Sequence, residues 1–475
     1  MKKIIATLVL IMCANAFLSA QQQSIDYYQV TSKGKVGVVS AAGKVTVQTK
    51  YDAIGQWRDG VASAKLRDKY GKVSSGAINL QGSTVIPFIY KDLQAGDDGF
   101  WRDASGTFTT LLDKSGRTVS EGKYYEIQLF GEDGLAAANK DGKWGFISAS
   151  GVEQVPCKYE KVGAFHKGTA PVCKDGKWAF IDTDGVLVTD FVYKDLEPVS
   201  ESVNMVRKKK YGLVDNAGRT VLSCVFDDIR KINDNFIMVT IHGSHGLVSP
   251  QGELLAPCEY DKVETLGDDS CVAVIKYGAY GLVEKSGEIQ LDCKYVRVKE
   301  FSEGLAAVET GYKWGFVNTA GEQVIPCIYS FVSPFKNGQT VAKLNEIYAV
   351  MGKGGEFKAT GKFDMMDYQN TDYPRVRING KWGYATKDGK PMIPCRYDAV
   401  EAFSEGLGAV EVRLKWGFMN PAGKFVIQCR YDGADIFRDG KAIVETRGKY
   451  GVIDKNGKTL VRISYDSVTP IYGQR

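Results

Sequence analysis

The chain has 475 residues, 44% of them hydrophobic, with 53 glycines, 25 tyrosines, 21 phenylalanines and a formal charge of +5. That hydrophobic share excludes a globally disordered chain. The small charge, two units of which are Lys2 and Lys3, argues against a nucleic-acid partner. Glycine above its usual share of about 7%, beside so many aromatics, reads as short strands joined by tight turns.

The first element is a leader. Lys2 and Lys3 form a basic start, Ile4 to Leu18 is mostly apolar, and Leu18-Ser19-Ala20 brings a small residue to a cut before Gln21. This predicts a secretory signal peptide over 1–20, cleaved after Ala20, and hence an exported protein. The apolar run is too short and interrupted to span a bilayer. The competing readings are a buried N-terminal strand or helix, and a lipid anchor on Cys13, which Met12 disfavours because a small residue is wanted there. No later segment is long and apolar enough to cross a membrane as a helix, so no integral membrane segment is expected after cleavage.

From about residue 28 one pattern recurs. Lys-Trp-Gly is clearest at Trp144, Trp314, Trp382 and Trp416, and substituted versions stand at Trp178-Ala179, Tyr211, His245, Tyr280, Tyr348-Ala349 and Tyr450. From 144 to 450 these anchors advance in steps of 33 to 35 residues, a phase that chance does not hold. Val36-Gly37, Tyr70-Gly71 and a degenerate copy near Phe108 extend the series to thirteen anchors. Each copy opens on an apolar segment such as Trp314 to Asn318 and turns on a glycine such as Gly321, a hairpin whose last loop residue sits at positive φ. A second strand follows, Val324 to Tyr329; its Pro326 (like Pro87, Pro156, Pro257 and Pro394) marks an edge or a bulge. Phe-x-x-Gly and a short apolar strand complete the unit, as in Phe301 to Val308 and Phe403 to Val410. Residues 21–475 thus read as an all-β array of about thirteen three-stranded antiparallel units of about 34 residues. One unit cannot bury its own apolar face, so neighbours must stack. Thirteen exceeds the usual 4–8 blades of a propeller, which favours an open solenoid or superhelix, with one or two β-propellers as the alternative.

The Trp-Gly with its following Gly turn, the Pro-Cys-x-Tyr-Asp segment and the Phe-x-x-Gly-Leu-Ala-Ala-Val strand closely resemble the WG, or KWG, repeat family over nearly the whole chain. The resemblance implies a bacterial repeat protein with no shared enzymatic activity, and it carries over no functional residues. The chain departs from the pattern at Phe108 and at Tyr348-Ala349, whose second strand is unrecognisable around Gly361 to Met366.

The residues that suggest chemistry mostly follow the repeat. Cys157, Cys224, Cys258, Cys293, Cys327, Cys395 and Cys429 share one phase, too far apart in stacked units for disulfides, so with Cys173 and Cys271 they are expected to be small buried hydrophobes. A metal ladder is the alternative, but no Cys-x-x-Cys pair exists. The only histidines are His166, His242 and His245, which disfavours a Ser-His-Asp or His-rich metal site. Asp-Asp pairs at 97–98, 227–228 and 268–269 read as solvated loop residues, and Asp52, Asp261, Asp398, Asp432 and Asp466 of Tyr-Asp as turn-capping acceptors. Calcium between repeats is the alternative for the latter. The Trp-position aromatics are expected to pack between repeats rather than form a sugar-stacking row. Lys143, Lys177, Lys313, Lys381, Lys415 and Lys449 should be exposed, their stems covering the rings. No catalytic residue, cofactor or metal is expected, and the binding residues are left open.

The resulting expectation is an exported, non-enzymatic binding or scaffold module of the bacterial cell envelope, recognising an envelope protein or an extended glycan. The alternatives are a glycan-active enzyme, which needs acid and base residues special to one or two copies, and an outer-membrane structural protein, whose barrel strands should run about 9–11 residues. Between periplasm and outer-membrane surface, the 25 residues after Tyr450 leave no room for a sorting domain, which favours the periplasm. A true site should lie where copies differ, as between Tyr348 and Asp372.

Overall fold

The computed structural model describes residues 25–200, 202–266, 269–367 and 373–472. The predicted leader over 1–20, with Cys13, therefore lies outside the described residues. Strands fill the described chain, without an α-helix, in thirteen small antiparallel sheets.

The three-stranded unit gains a fourth strand. In blade 9 the strands a, b, c and d are Arg297–Ser302, Leu305–Thr310, Lys313–Asn318 and Gln323–Tyr329, paired in that order. Strand a escapes sequence reading because it is only two residues long in several blades, as in Ala53–Ile54, Phe331–Val332 and Gly433–Ala434. Blade 5 keeps three named strands, with isolated bridges Trp178↔Tyr193 and Ile181↔Leu187 in place of the fourth. A single residue, such as Asp398, joins strand d of one blade (Pro391–Tyr397) to strand a of the next (Ala399–Val400).

The bulge predicted from the strand proline is present, and it accounts for the glycine after tryptophan. Trp314 pairs with Tyr329 but Phe316 with Ile325, so Pro326, Cys327 and Ile328 arch over Gly315. A Cβ on Gly315 would stand 2.7 Å from the Cys327 nitrogen and 2.7 Å from the Pro326 carbonyl carbon, with the Ile325 oxygen closer still. The c–d hairpin is also as expected: Gly321 lies at φ 75°, and Asn318 Oδ1 accepts from the backbone nitrogens of Ala320 and Glu322 at 3.0 Å.

This register corrects two anchors. The residue paired with Tyr90 as Trp144 pairs with Tyr159 is Ser75, not Tyr70, which stands exposed in the b–c turn. In the next copy Thr109, not Phe108, donates its backbone N–H to Tyr124 as Trp178 does to Tyr193. The first anchors are then 36, 75, 109 and 144, so the irregularity is one insertion in the b–c hairpin of blade 2. The copy at Tyr348 is also regular in backbone, with Phe357–Phe363 as its strand d and Met365–Asp367 opening the next blade.

The open solenoid is overturned. Strand b of blade 1 (Ile25–Ser32) pairs on one side with Lys35–Ser40 and on the other with Ser467–Tyr472, the last described strand. Thirteen hydrophobic clusters join neighbouring blades, one more than an open row of thirteen would have. The additional one sets Ile25, Tyr28, Val30 and Val39 of blade 1 against Val452 and Val461 of blade 13. The molecule is a closed β-propeller of thirteen blades, the alternative architecture named above. Central strands b and c are buried on both faces, as Leu305–Thr310 shows, because each blade is covered on both sides.

Candidate binding groove at the ring closure

Most recurrent residues are committed to the scaffold. The Phe of Phe-x-x-Gly packs edge-on against the aromatic two residues after the Trp position of the preceding blade: Phe165 on Phe146 at 4.6 Å, Phe335 on Phe316 at 4.8 Å, Phe403 on Tyr384 at 4.7 Å and Phe437 on Phe418 at 4.8 Å. Each such pair contributes about 0.5–1.5 kcal/mol beyond its buried area. The Trp-position rings are half-buried against these same clusters, as expected of packing residues.

The repeat-phase cysteines use the space the glycine leaves. Cys157, Cys293 and Cys327 thiols donate to the carbonyls of Ala138, Val274 and Val308 on strand b at 3.4, 3.5 and 3.6 Å. Among the described residues no disulfide joins the nine cysteines. Cys173 and Cys271 are buried as expected, whereas the seven in phase are half-buried, because the bulge that carries them is an edge.

The Tyr-Asp carboxylates bind both neighbours. Asp398 accepts from Lys381 Nζ of the preceding blade and from the Arg413 backbone nitrogen in the b–c turn of its own. Asp432 does the same with Lys415 and Arg447, and Asp466 with Lys449 and Lys33, the last contact crossing the ring closure. The turn-capping role is thus present, and the lysines, expected only to cover rings, are ion-pair partners as well. The hydrogen bond from lysine holds the Asp398 carboxyl below the usual range, and the Arg447 backbone N–H, then Lys415, does so for Asp432.

Two further expectations change. Asp98 is not a solvated loop residue: its side chain is buried, pairs with Arg102 and accepts from the Phe130 backbone nitrogen at 2.8 Å. Asp227 of the second pair is bound by Lys210 and the His242 backbone nitrogen. Asp268 lies outside the described residues. His245 stands opposite Tyr260 in the tryptophan's place, its Nδ1 3.0 Å from Thr240 Oγ1.

Another cavity, about 250 Å³, lies between blades 5 and 6 beside His166 and Asn204, but the closure holds more space. Strand a of blade 1, Ser467–Tyr472, stands at the edge of its sheet, and three cavities run along it. The largest, about 630 Å³, is lined by Gln29, Gln56, Trp57, Pro470, Ile471 and Tyr472. Tyr27, Asp59 and Leu80 extend it through a cavity of about 120 Å³, and Tyr450, Glu445 and Val468 line one of about 390 Å³ at the strand's other end. Trp57 holds the place of the Phe in Phe-x-x-Gly, and its indole N–H donates to Gln29 Oε1 at 3.3 Å. Tyr472 is 43% exposed. Aromatic faces, side-chain amides and an open strand edge can hold an extended ligand by stacking and hydrogen bonds. The break at Tyr348 to Asp372, where a site was expected, is described only to Asp367. The signal for the closure groove was in the sequence as Trp57-Arg-Asp-Gly60, a tryptophan in the phenylalanine's phase, but the closure that gives it neighbours was not.

A ring of short four-stranded β repeats with copy-specific side chains at its closure defines a repeat scaffold. The family model for the WG containing repeat matches residues 37–70, 110–144, 144–178, 178–210, 211–243, 280–314, 314–346, 382–413, 416–450 and 450–474. The chain belongs to this family. The stretches between, which hold Ser75, His245 and Tyr348, fold as blades all the same. No curated protein matches the chain. Among solved structures, a eukaryotic initiation factor aligns at 10% identity and a TM-score of 0.33, covering 63% of this chain and 94% of its own. The extracellular domain of a hybrid two-component system from B. thetaiotaomicron aligns at 8% and 0.22, covering 94% and 78%. PorZ, a surface component of the type-IX secretion system of Porphyromonas gingivalis, aligns at 13% and 0.18, covering 91% and 64%.

Proposed function

We propose that the chain is an exported, non-enzymatic binding module of the cell envelope that holds an extended glycan or protein segment in the groove along Ser467–Tyr472. The observation that carries this reading is the grouping of Trp57, Tyr472, Gln29 and Gln56 around an edge strand in a cavity of about 630 Å³. The commitment of Asp227, Asp398, Asp432 and Asp466 to lysines and backbone donors supports the non-enzymatic part, since these carboxylates already serve the scaffold. Export rests on the leader pattern in residues 1–20.

The test is equilibrium binding of residues 21–475, which hold every described strand, to soluble oligosaccharides and unstructured peptides. Trp57→Ala and Tyr472→Ala should each weaken the binding about tenfold or more, the scale of a lost stacking contact. Binding that ignores both substitutions removes the groove, and turnover of any ligand removes the non-enzymatic reading.

A further inference from the structure

A second surface is set apart by large apolar side chains exposed at positive-φ turn positions. In an a–b–c–d meander the b–c hairpins of all blades emerge at one end of the ring, and the a–b and c–d turns at the other. In ten blades, all but 2, 3 and 6, the b–c turn is a two-residue turn with both central residues at positive φ, which favours Asn-Gly or Asp-Gly. Asp141-Gly142 and Asn379-Gly380 conform. Others depart, with Lys33, His242, Glu346 and Arg447 among the positive-φ residues, and at three tips the departure is a large apolar residue: Tyr277 at φ 53°, Tyr312 at φ 63° and Leu414 at φ 62°. Bulky residues rarely adopt this conformation, and strain of this kind is retained where a function needs the side chain. The same three are among the most exposed large apolar residues, at 90%, 85% and 78%, and Tyr70, at the blade 2 tip, is 83% exposed.

The tips carry both signs, with Asp68, Asp141, Asp175 and Glu346 exposed among a larger number of basic residues. Exposed Lys33, Lys69, Lys209, Lys313, Arg413 and Arg447 all stand at b–c tips, and Lys208-Lys209-Lys210 forms a run at blade 6. Lys69 Nζ lies 4.9 Å above the Tyr70 ring. Some lysines at this end, such as Lys381, Lys415 and Lys449, are neutralised by Asp398, Asp432 and Asp466; those tip arginines and Lys33, Lys69 and Lys209 add charge beyond these pairs. The opposite end is mixed, with Asp59, Glu132, Asp234, Glu303, Glu405 and Asp439 in its a–b turns and exposed lysines such as Lys44, Lys114, Lys285 and Lys424 in its c–d turns.

We propose that the b–c end of the ring docks on an anionic lipid surface. Tyr277, Tyr312 and Leu414 stand singly on separate hairpins, at blades 8, 9 and 12, with one large apolar side chain each, whereas a protein partner's core contact calls for a continuous apolar patch. The headgroup boundary of a bilayer takes each tip without a matching pocket, and Tyr beside Lys or Arg is the side-chain pairing that settles there. The basic tips supply attraction to anionic headgroups, which falls as salt rises. The closed ring sets these hairpins at one end, so many weak contacts act together. The closure groove plays no part in this contact.

The test is co-sedimentation of residues 21–475 with phosphatidylcholine vesicles, with and without phosphatidylglycerol. Binding should require phosphatidylglycerol and decline in high salt. The combined variant Tyr277→Asn, Tyr312→Gly and Leu414→Gly places turn-preferred residues at all three tips, so its thermal midpoint should match or exceed the parent's. Its vesicle affinity should fall about tenfold or more. Equal binding to neutral vesicles, no binding to anionic ones, or a variant that binds like the parent overturns the proposal. Retention on immobilised heparin without vesicle binding also overturns it, and assigns the basic tips to a soluble polyanion.

Discussion

Closure of the ring makes residues at opposite ends of the chain depend on one another. Tyr28 is 1% exposed and packs in the cluster that holds Val452 and Val461 of blade 13. Replacing a buried aromatic by alanine costs about 3–5 kcal/mol, the lost transfer energy plus the cavity left behind. If that loss is concentrated in opening the blade 13–blade 1 interface, amide protection that depends on the interface should fall by roughly two to four orders of magnitude, at a factor of ten per 1.4 kcal/mol. Hydrogen exchange read by mass spectrometry on peptides from Lys449–Asp454 and Thr459–Tyr465 is the assay. Tyr28→Ala should accelerate exchange there, more than 400 residues away in sequence. Phe146→Ala, at the interface of blades 4 and 5, should accelerate exchange across those blades and leave 449–465 much less affected. If Tyr28→Ala loosened only the N-terminal strands while 449–465 kept its protection, the ring would be open in solution and the closure argument would fail.

Gly315→Ala should destabilise the chain by about 1–3 kcal/mol in denaturant titration, because its Cβ meets the backbone of the bulge, while Gly106→Ala, whose Cβ would meet only the Phe108 oxygen at 3.6 Å, should be near neutral. The carboxyls of Asp52, Asp227, Asp398, Asp432 and Asp466 are all held below their ordinary value. Below that value the unfolded chain binds more protons than the folded one, so their contribution, present above about pH 4, is lost as the pH falls through the folded values. The thermal midpoint should therefore drop on acidification, modestly because these groups are solvent-screened, and Lys381→Met with Lys415→Met should flatten the drop. Burial pushes the Cys157, Cys395 and Cys429 thiols up. They should react more slowly with maleimide at neutral pH than a free cysteine in a peptide, and reducing agent should leave the mass of the intact chain unchanged.

The repeat, its phase and three of its four strands were legible because their determinants are local. Gly321 marks a turn by its φ, Pro326 marks a bulge by its missing N–H, and the spacing of Trp314, Trp382 and Trp416 sets the phase. Strand a was not legible, because a two-residue strand such as Phe331–Val332 has no alternation to read and exists only through its pairing with Lys343 and Ala342. The misplaced anchors have the same origin. Tyr70-Gly71 imitates the motif, but only the pairing of Ser75 with Tyr90 decides which residue stands in the tryptophan's place. The acidic residue of Tyr-Asp was recognised as a cap, yet its lysine lies seventeen residues upstream in the preceding blade, a relation that needs the stacking geometry. The exposed tips of Tyr277, Tyr312 and Leu414 were visible as departures from Asn-Gly or Asp-Gly, but only within turns whose type the structure fixes.

Ring against open row is a case where thirteen equivalent copies leave the global answer undecided, and the pairing of the first and last described strands decides it. The last described strand, Ser467–Tyr472, follows Tyr465 and Asp466 in the place where strand a follows Tyr-Asp in every regular copy. It is the first strand of one more unit whose other three strands, Ile25–Ser32, Lys35–Ser40 and Val45–Tyr51, come from the start of the chain. Because the repeat frame is cut between strands a and b, the closing interface uses the standard contacts. Asp466 accepts from the Lys33 nitrogen as Asp398 does from that of Arg413. Closure therefore requires no specialised lock. The cavity of about 630 Å³, with Trp57 in a phenylalanine's place, lies along Ser467–Tyr472.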